Sequence, residues 1–429
     1  MHIYQLTFLI TFICISAIVI RKSLTVKSAD DFSVAGRSLS SSGVSWVIVG
    51  TLVGGVSTVG TVQTAYTHGI AAGIFTFGSG LSCFLLGCFF AKALREEQVV
   101  TVSEYLGRYF GQRFRYYCSA INSFGMFIHV VGQFLAAIAI LKTIFGLSDT
   151  VSIVVTMALI GIFVVTGGVT GAGVIGKIKL YMLYLIMLVS AMVALYKGGG
   201  MTTIISSLPE GLDMFGFSRY GRQTALVDMA SMLLGVLSTQ IYLQAIFSAK
   251  NVREARNGAF ISAMIIPPIG VLGIIVGLYL RAHYPEIGDN PAQALPFFFR
   301  QTFPPVVAAF FSAGILLIVL GTGAGLVLGV TTNLYNDFMV RAQSIFAKIP
   351  SIILVRLSTL VVLALAALLV VTDLESTILR WSYLSMGLRG TAVFAGLFIL
   401  VFCKQIASSR LVLVLLYLLP AMYILLSIR

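Results

Sequence analysis

The side chains able to do chemistry in this sequence of 429 residues are few, and they stand inside long apolar runs. His129 and Gln133 are four residues apart, a spacing that puts both on one face of a helix. Ile318, Gly321 and Thr322 follow an i, i+3, i+4 pattern, so a backbone carbonyl and a hydroxyl on one face can help complete an ion site. Gln63 follows a glycine-rich stretch. Arg389 lies within an apolar run, where an arginine costs about 2.5–3.5 kcal/mol at a helix centre, which makes it a candidate to meet a bound carboxylate. Arg380, near the start of the same run, is free to reach outward. The acidic residues Asp228, Asp337 and Glu375 fall at the ends of runs, and the sequence has neither an HExxH motif nor paired carboxylates within a run. That pattern argues against an enzyme.

The elements that must hold these residues are membrane helices. Apolar residues make up 58% of the chain and charged residues 10%, against about 25% charged in a soluble domain. His2 to Ile20, Ile70 to Phe90, Tyr181 to Tyr196, Ile352 to Val371 and Leu411 to Leu426 approach the length of about 20 residues that crosses a hydrocarbon core. The first run has neither a basic leader nor a small-residue cleavage site and is read as a retained helix. Cys14, Cys83, Cys88, Cys118 and Cys403 all lie in or beside apolar runs, without disulfide or zinc spacing. The net charge of +13 is spread over short loops, which excludes a nucleic-acid surface and points to topology.

Twelve spans follow: 2–20, 44–66, 70–91, 116–144, 150–167, 173–196, 222–248, 257–281, 304–337, 351–372, 376–402 and 410–428. The loops after the odd-numbered spans are rich in Lys and Arg and those between are poor. The loop after the fifth span is counted among the basic ones on the strength of Lys177 and Lys179. By the positive-inside rule, both termini are then extracytoplasmic. Two long outer connections, Lys197 to Gly221 and His283 to Phe303, are candidate lids.

Two stretches interrupt the apolar pattern. Gly54 to Gly69 places Gly54, Gly55, Gly60 and several hydroxyl residues mid-span, and Leu320 to Asn333 does the same in the ninth span. Unwound backbone at membrane depth is tolerated where it lines a cavity or is buried in protein, and transporters use such breaks to bind ions and solutes. The other reading of such a segment is a small-residue packing face. One interruption in each half suggests an inverted repeat, spans two to six and seven to eleven.

With these features in place, the sequence resembles the sodium:solute symporter family, of the LeuT-type fold in the APC superfamily. Ala29 to Ser40 (ADDFSVAGRSLS) and Thr101 to Arg115 (TVSEYLGRYFGQRFR) resemble its cytoplasmic motifs. Gln240 to Ala259 is similar to its Gln-rich span end and basic loop, and Asn333 to Phe338 (NLYNDF) to its later Asp-bearing helix end. The resemblance implies an all-α polytopic membrane protein of about twelve transmembrane helices, a five-plus-five inverted repeat with one helix before and one after. The divisions are 1–43 leading helix and loop, 44–196 first repeat, 197–221 outer loop, 222–402 second repeat and 403–429 final helix.

It further implies a sodium site from the carbonyls of Gly55, Thr58 and Ile318 and from two adjacent hydroxyls, which align with Gly321 and Thr322. Gly321 supplies none. The Arg after the second Gln of the family pattern is Ala245 here, and Ser238-Thr239 stands for Phe-Asn. A midplane cavity takes Gln63, His129, Gln133, Gln240 and Arg389 as solute-binding candidates. The expected activity is sodium-coupled symport of a small organic solute (amino acid, carboxylate, sugar or vitamin-like), with sodium as coupling ion and no cofactor, in the cell membrane of a bacterium or archaeon. The alternative is a proton-coupled or uncoupled facilitator, or a sensor, on the same fold with a degraded sodium site.

Overall fold

The computed structural model describes residues 3–23, 35–209, 211–339, 351–372 and 377–427. Eight helices among them are long and apolar enough to cross a membrane, and four shorter apolar helices accompany them. This follows from solvation: with no water to satisfy backbone polar groups in hydrocarbon, a spanning segment must close its hydrogen bonds within itself.

Helix α1 is Ile3–Ser23. The second pass is broken, with α2 (Ser41–Leu52) followed by a wide turn at Val56–Gly60 and α3 (Thr61–His68). The chain reverses at Gly69, whose φ is 60° and whose imagined Cβ would sit 1.9 Å from the carbonyl oxygen of Met214, so only glycine fits. Helix α4 (Gly73–Leu85) returns. A surface helix, α5 (Val102–Phe110), precedes the long α6 (Gln112–Phe145).

Helix α7 (Asp149–Lys197) contains two membrane-crossing arms, Asp149–Val164 and Gly176–Lys197. Ile160 packs at Gly323 and Ile186 at Gly314 of one neighbouring helix. Those glycines are about 14 Å apart, whereas a straight helix would separate the two isoleucines by about 39 Å at 1.5 Å per residue. The arms therefore run back along each other as the fifth and sixth passes.

The seventh pass is also broken, into α8 (Arg222–Val236) and α9 (Gln240–Phe247). Then come α10 (Val252–His283), the short α11 (Ala294–Thr302), α12 (Pro305–Asn333) ending in a wide turn at Leu334–Met339, and α13 (Ser351–Thr372). Helix α14 (Ile378–Arg389) runs through a wide turn at Gly390–Phe394 into α15 (Ala395–Phe402), and α16 (Arg410–Ser427) follows.

Two expectations are corrected. Leu320–Gly325 is no interruption: α12 is continuous and buried. Its glycines admit neighbours instead, with Thr51 against Gly325 and Met126 against Gly329, so it is a small-residue packing face. The second break lies at Leu237–Thr239. The interrupted passes are thus the first helix of each five-helix repeat. Lys179 belongs to no loop; it is buried at 2% exposure in the second arm of α7.

One face of the bundle gathers the basic loops. Leu39 pairs with the 248–250 segment through Leu39 N to Ser248 O (3.0 Å) and Lys250 N to Leu39 O (2.8 Å), and Arg95 donates to Ala249 O. Half of the Ala29–Ser40 motif, residues 29–34, and Glu375 lie outside the described residues.

Candidate functional site

The break in α2 is where the chain exposes backbone. Val53 is extended, so the C-terminal carbonyls of α2 lack the next helical turn. The Thr322 hydroxyl of α12 meets them, 3.0 Å from Val53 O and 3.1 Å from Ile318 O. Gly54 makes this approach feasible, since a Cβ there would lie 2.2 Å from Thr322 Oγ1. The Nζ of Lys179 donates to Thr322 Oγ1 and to Gly50 O, both at 2.5 Å.

Ile318 and Thr322 therefore come together at the break as the sequence suggested, but with Gly50 and Val53. The carbonyls of Gly55 and Thr58 are turned into the wide turn, accepting from Gly60 N (2.9 Å) and Thr61 N respectively. Gly321 is buried in α12 without a side chain to offer. Sequence reasoning missed Lys179 by counting it as loop charge; a lysine inside the 173–196 span was the available signal.

The polar candidates separate into two kinds. Gln133 Oε1 accepts from Gly55 N (2.9 Å), and Gln63 Oε1 accepts from Ile378 N (3.1 Å) at the start of α14. Both brace broken or terminal backbone. Gln240 Oε1 accepts from Val102 N and its Nε2 donates to Val100 O, each at 2.9 Å, which clasps the second break to the start of α5 near the basic face and takes Gln240 away from the bundle centre.

His129 and Arg389 do meet. Arg389 Nη2 lies 3.3 Å from His129 Nδ1 and donates to Ser385 Oγ (2.9 Å), while Nε donates to Ser385 O. Arg389 Nη1, His129 Nε2 and the nearby Tyr242 hydroxyl are buried without a hydrogen-bond partner. None of the ion pairs among the described residues involves Arg389. A buried guanidinium with an unpartnered Nη1, and in no ion pair among the described residues, is prepared to receive an anionic group.

Above this cluster, Phe75 stands edge-on to His129 at 6.5 Å and packs against Tyr383 at 6.3 Å. Tyr383 lines a cavity of about 750 Å³ together with Thr64, His68, Tyr220, Asp228 and Arg380. Arg380 therefore stands on the wall of this cavity. On the opposite side, Asp337 binds Arg115 (2.6 and 2.8 Å), Ser119 (2.7 Å) and Thr101 (3.2 Å), joining the end of α12 to α6 and α5. The cluster is closed off from the cavity by two rings and from the basic face by this knot.

A family model of the sodium:solute symporter family matches residues 32–410. The chain belongs to that family. Relatives include the high-affinity choline transporter 1 of Drosophila melanogaster (22% identical, covering 75% of this chain and 52% of that protein) and the sodium/glucose cotransporter of Vibrio parahaemolyticus (20%, 64% and 55%). The sodium/pantothenate symporter of Haemophilus influenzae is 22% identical, covering 74% and 68%. The chain spans about half the length of the first relatives it matches. Its fold resembles that of a Na⁺-coupled sialic acid symporter solved in a substrate-bound outward-open state, with a TM-score of 0.78 at 16% identity over 100% of this chain and 97% of that one. The family and these relatives are membrane transporters rather than enzymes.

Proposed function

We propose that this family member is a secondary transporter that moves a small organic anion by alternating access, coupled to a cation at the junction of α2 and α12. The observation that carries the anion is the unpaired Nη1 of Arg389 near the unpaired Nε2 of His129. Among solutes named in the relatives, pantothenate and sialic acid carry a carboxylate, while choline and glucose do not. The family and the glucose, pantothenate and sialic acid relatives are sodium-coupled by name.

In this reading the basic face is cytoplasmic by the positive-inside rule, both termini are extracytoplasmic, and the cavity above Tyr383 is the outer vestibule. Solute enters there, Phe75 and Tyr383 yield, and the carboxylate docks on Arg389. Rocking of one bundle against the other closes the vestibule and loosens the Arg115–Asp337 knot, opening the inner side. One cation moving with one monocarboxylate carries no net charge, so the membrane potential supplies no driving force.

The test is uptake by proteoliposomes holding the purified chain, with radiolabelled amino acids, monocarboxylates, sialic acid and pantothenate set against glucose and choline. Saturable uptake of a carboxylate, lost in Arg389→Gln, supports the proposal. Uptake confined to neutral or cationic solutes, or no uptake at all, sinks it.

A further inference from the structure

We propose that the cation at the α2–α12 junction is the ammonium of Lys179 itself, standing in place of a bound ion. This rests on the transporter reading above.

The geometry points to it from several sides. Lys179 Nζ bonds the Thr322 hydroxyl and Gly50 carbonyl at 2.5 Å each, so it engages the hydroxyl that the sequence assigns to a sodium ion. The C-terminal end of the half-helix α2, with carbonyls that find no further turn, carries the partial negative charge that attracts a cation. Gly321 leaves the second hydroxyl position without an oxygen. The crevice beside Lys179, between Gly50, Gly176, Leu183 and Ile318, has no room for a water-sized sphere, so a hydrated ion cannot share it with the ammonium.

Among the described residues no ion pair involves Lys179. Its surroundings on α2, α7 and α12 are carbonyls, one hydroxyl and apolar groups. The titratable groups on the packed elements are engaged elsewhere: Lys177 lies over the Trp46 ring, Tyr184 donates to Ile265 O, Tyr4 bonds Ser312, Asp337 bonds Arg115, and His129 faces Arg389. An ammonium bridging α2 and α12 holds the two helices together.

Two readouts test this. The first needs no solute: thermal unfolding of the purified full chain in NaCl against KCl at equal ionic strength. The wild type is expected to melt within about 1 °C in the two salts. Lys179→Ala combined with Gly321→Ser, which empties the site and restores the second hydroxyl, gains a sodium-specific, saturable rise of about 2 °C or more. A sodium-specific rise in the wild type overturns the proposal. So does a double variant that melts cooperatively in both salts without a sodium-specific rise.

The second readout uses the solute found in the uptake screen. Its uptake by the wild type is expected to change less than about twofold between NaCl and KCl at equal ionic strength, and uptake by Lys179→Ala combined with Gly321→Ser is expected to become sodium-stimulated about twofold or more. Wild-type uptake that requires sodium, or uptake by the double variant that ignores it, overturns the proposal. If the double variant fails to fold, the wild-type melt and this assay decide. If no solute is transported, the transporter reading fails while the melt still identifies the occupant.

Discussion

Arg389 Nη2 and His129 Nδ1 lie 3.3 Å apart, both fully buried, and the same Nη2 donates to Ser385 Oγ and Met386 Sδ rather than to any carboxylate. Placing a cation among apolar helices without an acid leaves its neutralisation to whatever binds there. The pairing of α14 with α6 depends on Gly125, where a Cβ would stand 2.4 Å from Arg389 Cγ.

Replacing Arg389 by Lys should therefore weaken carboxylate uptake even though charge is kept. Loss of one charge-assisted hydrogen bond costs about 1.5–3 kcal/mol, which corresponds to roughly 10-fold to 150-fold in KM. Initial-rate uptake against solute concentration checks it, with His129→Gln expected to show a smaller rise.

The Arg115–Asp337 pair is buried, with Asp337 at 0% side-chain exposure. Removing one partner should be far worse than removing both, because a lone buried charge costs about 3–5 kcal/mol. Thermal melts of Asp337→Asn, Arg115→Gln and the double variant give the coupling directly. Independent losses that simply add would remove the knot from the closing mechanism.

Tyr383 and Phe75 stand between the vestibule and His129. In a background with the native cysteines replaced, a cysteine at position 129 should react slowly with a membrane-impermeant thiol reagent. Adding Tyr383→Ala should raise that rate about tenfold or more. Equal rates in the two backgrounds would mean that the rings do not close the path.

Glycines with similar sequence surroundings should respond very differently to alanine. Gly54→Ala and Gly325→Ala would meet Thr322 Oγ1 at 2.2 Å and Thr51 Cγ2 at 2.3 Å, whereas at Gly161 the nearest contact is Leu363 Cδ1 at 3.4 Å. Overpacking costs about 1–3 kcal/mol, so the first two should lower the melting temperature and Gly161→Ala should leave it unchanged or raise it, since alanine favours a helix.

Much of this protein is legible in one dimension because lipid imposes a one-dimensional rule. A segment must be apolar for about 20 residues to cross, and a basic loop stays on one side. The twelve passes, the shared face of the basic loops and the weak helix at Gly54 follow from composition and spacing alone.

Only the tertiary structure decided which interruptions are breaks. Leu320–Gly325 stays helical because Ile160 and Thr51 fill the space over Gly323 and Gly325. Leu237–Thr239 opens without any glycine, held by Asn122 Nδ2 donating to Ser238 O (2.5 Å) and by the hydroxyls of Ser238 and Thr239 bonding back into α8. Lys179 reads in sequence as one more basic residue near a span end. It becomes a cation at the α2 break only once α7 packs against α2 and α12, since charge position along a chain carries no information about which helix end it will face.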